Sequence, residues 1–224
     1  VAALQPKILS DKNESYFEYA GACGGYIDQL GYPFCRGRIF DHIEKDQGQY
    51  DDETQIFWAT GACLAVRKKI FEKAGGFDEL YFAHQEEIDL CWRINNLGYK
   101  ISVTPASKVY HLGGGTLNEQ HPKKTFYNFR NSLFNLLKNA PDGLYKKLIF
   151  KRMVLDGIAF FHFILLFKWN HAVMIMMAHI DYYRHKSDIE EKRIKSTKIK
   201  NYFYFRNIVF KYFFRKKKIF SEIN

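Results

Sequence analysis

The sequence predicts a mixed α/β body with a helical extension at its C-terminal end. Three observations carry that reading. Short apolar runs bounded by Gly and Pro alternate with two segments of helical periodicity up to about residue 140. Apolar residues then crowd into 145–183, where strand punctuation stops. The charge also divides. Residues 145–224 hold 18 Lys/Arg against 6 Asp/Glu, whereas residues 1–144 hold 16 against 18. The chain's net +10 therefore belongs to its last third, and a basic tail on a near-neutral body points to an anionic partner, membrane or nucleic acid.

At 224 residues and 47% hydrophobic, the chain is long enough for one packed domain with an appendage, and its composition excludes disorder. Val1 to Pro6 reads as the end of a core strand, so the chain is expected to begin inside a fold, with residues 1–9 a short buried strand. Residues 10–55 carry six glycines among aromatics and read as loop lining a surface or pocket. Residues 57–66, FWATGACLAV, predict a buried strand or a bend. Arg67 to Ala74 predicts a short helix closed by Gly75. Residues 85–97 predict a second helix burying Ile88, Cys91, Trp92 and Asn95, with Gly98 ending it. KISVTP and KVYHL predict two strands split at Pro105, and helix resumes near Lys124 to Lys138.

Met153 to Phe167 and Ala172 to Ala178 are apolar but shorter than the roughly 20 residues a spanning helix requires. From Lys192 onward basic and aromatic residues alternate, a pattern suited to the headgroup boundary of a membrane; no nucleic-acid-binding motif accompanies it. Cys23, Cys35, Cys63 and Cys91 form no C-x-x-C pair and are read as free thiols in a reducing compartment.

The chemistry concentrates in Glu86-Glu87-Ile88-Asp89, at the start of the second predicted helix. Carboxylates crowded there repel, so at least one should hold its proton to higher pH, which makes a general base. The acids also favour the positive end of the helix dipole, which is the structural alternative. Asp89 and Arg93, four apart, predict a structural pair. His111, followed by Gly113, Gly114, Gly115 and Thr116, combines an imidazole with backbone able to approach phosphate.

In order, WATGACLAVRKKIFEKAGGFDELYFAHQEEIDLCWRINNLGYKISVTPASKVYHLGGGT resembles the C-terminal half of the catalytic domain of family two glycosyltransferases, closest to bacterial rhamnosyltransferase-like members that build surface polysaccharide. The resemblance covers roughly residues 1–140. It implies a GT-A fold, a Rossmann-like α/β sandwich using a nucleotide-sugar donor and a divalent metal (Mg2+ or Mn2+). It implies an inverting enzyme transferring a sugar, rhamnose among the options, to a lipid-linked or polysaccharide acceptor at the cytoplasmic membrane face.

By this resemblance Glu87 is the general base, with Glu86 beside it able to take the role, and His111 is a metal ligand. Trp58, Thr60 and Gly61 lie beside the sugars, while Asp78, His84 and Arg93 are further candidates for substrate contact. The resemblance places the nucleotide-binding half and a D-x-D motif upstream of Val1, and Asp51-Asp52 does not stand in for that motif. The chain is therefore expected to be an N-terminally truncated piece, inactive alone, with an acceptor-side part (1–140) and a membrane-associated extension (141–224). The competing expectation is a non-catalytic basic module, binding membrane or nucleic acid, on a degenerate transferase scaffold.

Overall fold

The computed structural model describes residues 1–113, 121–193 and 201–223. The chain runs β1 (Ala3–Ser10), β2 (Gly25–Ile27), β3 (Pro33–Cys35), β4 (Arg38–Ile39), β5 (His42–Ile43), β6 (Thr54–Ile56), β7 (Ala65–Val66), α1 (Lys68–Lys73), α2 (Glu86–Asn96), β8 (Ile101–His111), α3 (Pro122–Asn139), α4 (Tyr145–Leu165), α5 (Trp169–Arg184) and α6 (Lys186–Glu191). The main sheet has the order β6-β8-β1-β7; β1 and β8 are parallel, and the flanking strands are antiparallel to them. The result is a mixed α/β architecture. A second sheet, β2-β3-β4-β5, is an antiparallel meander folded from the stretch that read as loop. Its strands are two or three residues long, too short for any hydrophobic period to register.

β1 is buried along most of its length because β7 and β8 flank it. It nevertheless buries Gln5 and Lys7 completely. Gln5 Oε1 accepts from Thr60 N at 2.9 Å, and Lys7 Nζ pairs with Asp46 at 2.8 Å and with Asp51. Asp52 pairs with Arg36, so both members of Asp51-Asp52 hold neighbouring loops together. β8 is one strand, not two: the register against β1 jumps from Pro6↔Thr104 to Lys7↔Lys108. The segment around Pro105 is accommodated as a bulge, a place where a strand tolerates proline. Of residues 57–66, Ala65–Val66 pairs in the main sheet and Trp58 forms an isolated antiparallel bridge with Gly25 of β2; Ala59 to Gly61 connect without strand pairing.

The extension does not stand apart from the body. α3, α4 and α5 pack on one another, and Tyr182, Ile189, Tyr202, Ile208, Phe220 and Ile223 join the body's buried cluster. Residues 201–223 return to the small sheet. Tyr204 N donates to Ile27 O and Gln29 N to Phe205 O, both at 2.9 Å, and Ile208 N donates to the buried Asp28 carboxylate at 3.0 Å. Phe220 stacks on Tyr26 at 5.5 Å. A meander this thin cannot bury its own faces, and the aromatic tail supplies the missing layer. Thus some aromatics expected at a membrane are core residues, while Phe210, Phe213 and Phe214 stay exposed. Residues 194–200, part of the basic run, lie outside the described residues. Among the described residues no helix is long and apolar enough to cross a membrane. All four cysteines are free thiols.

Candidate active site

The cleft is built around an unusual entry into α2. Phe82, His84 and Gln85 all have positive φ (60°, 66° and 67°), a conformation that costs non-glycine residues free energy. The polar face of α3 holds the loop in place. Asn131 Nδ2 donates to Ala83 O at 2.9 Å and His84 O at 2.6 Å. Arg130 donates to the carbonyls of Leu80 and Tyr81 at 2.8 and 3.0 Å. Gln85 Nε2 donates to Ser132 Oγ at 2.9 Å, and Asn135 Nδ2 donates to Gln85 Oε1 at 3.2 Å. Buried side-chain amides thus fix the backbone that aims Glu86 and Glu87.

Both carboxylates face a cleft of about 960 Å³ that also receives His84, His111, Trp58 and Thr60. Burial pushes the Glu87 carboxyl up to about 8, and the neighbouring Glu86 charge pushes the same way. Burial raises Glu86 as well, and its Oε2 has no hydrogen-bond partner. His84 Nε2 is likewise buried and unpartnered; burial, then the Lys124 charge, lowers its pKa and favours the neutral ring. With its pKa near 8, Glu87 is poised to exchange a proton with a bound hydroxyl near neutral pH.

His111, at the end of β8, places Nδ1 3.3 Å from Glu18 Oε2 without hydrogen-bonding it, so that nitrogen is unpartnered too. The other Glu18 oxygen faces Gly113, where an added Cβ would lie 2.9 Å away. A free imidazole nitrogen beside a buried carboxylate suits Mg2+ or Mn2+. These are two donors; among the described residues no three His, Cys, Asp or Glu converge. Gly114, Gly115 and Thr116 lie outside the described residues.

The remaining predicted residues divide. Trp58 is buried, donates Nε1 to Tyr26 O at 2.9 Å, and packs so closely on Gly25 that a Cβ there would overlap the indole. It is a core residue that also reaches the cleft wall. Thr60 packs on Gly21 and accepts from Ala62 N at 3.2 Å, while Gly61 is exposed at the cleft edge.

Asp78 and Arg93 are not in the cleft. Asp78 caps a 3-10 turn and pairs with Lys138 at 2.7 Å and Lys192 at 2.8 Å. Burial opposes its ionisation, but those ammonium groups outweigh it and hold its carboxyl down at about 2. Arg93 pairs with Asp89 at 2.7 Å and donates to Gly76 O at 2.7 Å and to Ala74 O. The Asp89–Arg93 pair is structural, as the spacing predicts, but buried instead of lying on the helix surface.

Two parts of the cleft escaped sequence reasoning. Glu18 sits in a stretch with no recognisable pattern, and nothing local marks it. The apolar wall comes from distant segments: Tyr32 and Phe40 in the meander, Ile158 and Phe163 on α4, and Phe213 and Phe214 in the tail. The cleft is therefore lined both by acidic and polar groups and by a large apolar set.

No protein-family model matches the chain. Curated relatives do. Over 88 residues the chain is 39% identical to N-acetylglucosaminyl-diphospho-decaprenol L-rhamnosyltransferase of Mycobacterium tuberculosis, 39% of this chain and 28% of that protein. Over 76 residues it is 30% identical to rhamnosyltransferase WbbL of Escherichia coli, 34% of this chain and 26% of that protein. Over 119 residues it is 25% identical to dTDP-rhamnosyl transferase RfbF of Shigella flexneri, 48% of this chain and 40% of that protein. The chain thus spans well under half the length of these relatives. Over part of its length it is similar to proteins named as rhamnosyltransferases.

Proposed function

We propose that the protein is an inverting glycosyltransferase that moves a sugar, rhamnose by analogy with the relatives' names, from a nucleotide donor to a lipid-linked or polysaccharide acceptor. The observation that carries this is the cleft itself. Two carboxyl groups, each with its pKa raised by burial, line it together with an apolar wall. An amphiphilic acceptor, polar at the reacting sugar and apolar beyond, matches that lining. The relatives described above are all named transferases, which leaves the basic binding-module alternative without support of its own.

In this mechanism the ionised form of Glu87 accepts the proton of the acceptor hydroxyl as its oxygen attacks the anomeric carbon from the face opposite the leaving diphosphate. Glu86 keeps the Glu87 carboxylate basic by charge repulsion. His111 and Glu18 would hold a divalent metal, which when bound neutralises charge on the departing diphosphate. Gly61 at the cleft edge leaves space beside the sugars, and neutral His84 offers a further polar contact. The site works on the inner face of the cell membrane, with the exposed Phe210, Phe213 and Phe214 of the tail toward the lipid.

Glu87→Gln in the full-length protein tests this. General bases contribute roughly 10²–10⁴ in rate, so turnover should fall about a thousandfold while donor affinity, read by calorimetry, is unchanged. Turnover within tenfold of the parent would remove Glu87 from the role.

A further inference from the structure

We infer that the solvent face of the α4–α5 hairpin is a docking surface for an anionic lipid bilayer and holds the cleft mouth against it. α4 exposes Phe150, Val154, Ile158, Phe161 and Leu165 at spacings of four, four, three and four, one continuous helical stripe. α5 does the same with Trp169, Val173, Met176 and Ile180. Each helix also buries a different stripe, Leu148, Arg152 and Asp156 on α4, and Ala172, Ile175, Ala178 and Tyr182 on α5. The exposed residues are thus what remains after the fold's own packing is complete. At the connecting turn, Phe167 is 80% exposed. An apolar face of this extent is unusual on a protein surrounded only by water.

Charge selects the occupant. Between residues 144 and 187 the acids are Asp156, fully buried against Arg152 and His179, and Asp181, paired with Arg130. The exposed charges of the hairpin are cations: Lys146, Lys147, Lys151, Lys168 and Arg184. Beside it, exposed Phe213 and Phe214 lead into the exposed cations Arg215 to Lys218. A second copy would bring like charges together, whereas anionic headgroups complement this rim. Neither helix crosses a bilayer, so the hairpin lies in the interface plane, with Trp169 and Lys168 at headgroup level.

The face is continuous with the cleft, because Ile158, Phe213 and Phe214 belong to both. If the transfer reading holds, a lipid-linked acceptor passes from bilayer to Glu87 along an unbroken apolar path.

The test is co-sedimentation of the chain with vesicles of phosphatidylcholine alone or mixed with phosphatidylglycerol, containing no sugar lipid and no donor. The parent should bind the mixed vesicles at least tenfold more tightly than the neutral ones. Phe161→Glu combined with Leu165→Glu, both exposed, should abolish binding without changing the circular dichroism spectrum or Tm. Lys216→Ala, Lys217→Ala and Lys218→Ala together should weaken it only severalfold. Equal binding by the double glutamate variant, or a parent dimer that this variant converts to monomer, overturns the proposal. Because these vesicles contain neither substrate, the outcome is independent of whether Glu87 proves to be the base.

Discussion

Two sides of the first turn of α2 treat their charges in opposite ways. Asp89 is fully buried and saturated: Oδ2 accepts from Arg93 at 2.7 Å and Lys138 at 3.0 Å, and Oδ1 accepts from Asn139 Nδ2 at 2.8 Å. On the cleft side, Glu86 has an oxygen with no partner, and Glu87 is held partly protonated by its surroundings. The sequence EEID sets these acids side by side, yet one serves the fold and the others face a cavity. Buried polar groups are normally paired, so those left unpaired mark where a ligand is expected to complete the pairing.

Removing the saturated acid should have the largest effect on stability. Asp89→Ala strands Arg93 and Lys138 in a buried site, and breaking such a network costs about 3–5 kcal/mol. Thermal unfolding should show the variant severely destabilised, whereas Glu86→Ala, made on the cleft side, should leave Tm almost unchanged. Equal losses at both positions would erase the distinction.

The clamp between the two regions should show an intermediate effect. Asn131→Ala removes the donor to two carbonyls of the positive-φ loop, and leaving buried acceptors unsatisfied costs about 1–3 kcal/mol. Its effect on transfer should exceed its effect on stability, because the loop aims Glu86 and Glu87. In the full-length protein, kcat should fall more than KM rises. A variant that loses stability but keeps kcat would make Asn131 a purely structural residue.

The contrast within α2 was only partly visible beforehand. Helical spacing located the helix, its buried face and the Asp89–Arg93 pair, because those depend on local periodicity. The acid cluster itself announced raised pKa values. Burial of Asp89 was not legible, since its partners Lys138 and Asn139 lie about fifty residues away and are set by tertiary packing. The same limit concealed Glu18 beside His111, the meander of two- and three-residue strands, and the α4 and tail contributions to the cleft. Motif order puts Asp78 and Arg93 among the candidate contacts, whereas the fold uses both in ion pairs outside the cleft. Pro105 suggested a strand break where β8 continues through a bulge.

A last effect is a pH dependence of stability on the cleft side of that turn. Glu87 has an ordinary carboxyl pKa of 4.5 when unfolded and one of about 8 when folded. Between those values the folded state keeps a proton that the unfolded state has lost. Unfolding therefore releases a proton, and stability declines as pH rises through this window. Below about 4.5 both states are protonated, and above about 8 both are ionised, so the decline is confined between them. Glu87→Gln cannot lose a proton and should escape the decline. Its Tm should match the parent's near pH 4.5 and exceed it by pH 8.5. A parallel pair of Tm curves for parent and Glu87→Gln would mean that Glu87 is solvated like a surface acid, and the contrast within the first turn of α2 would then rest on Glu86 alone.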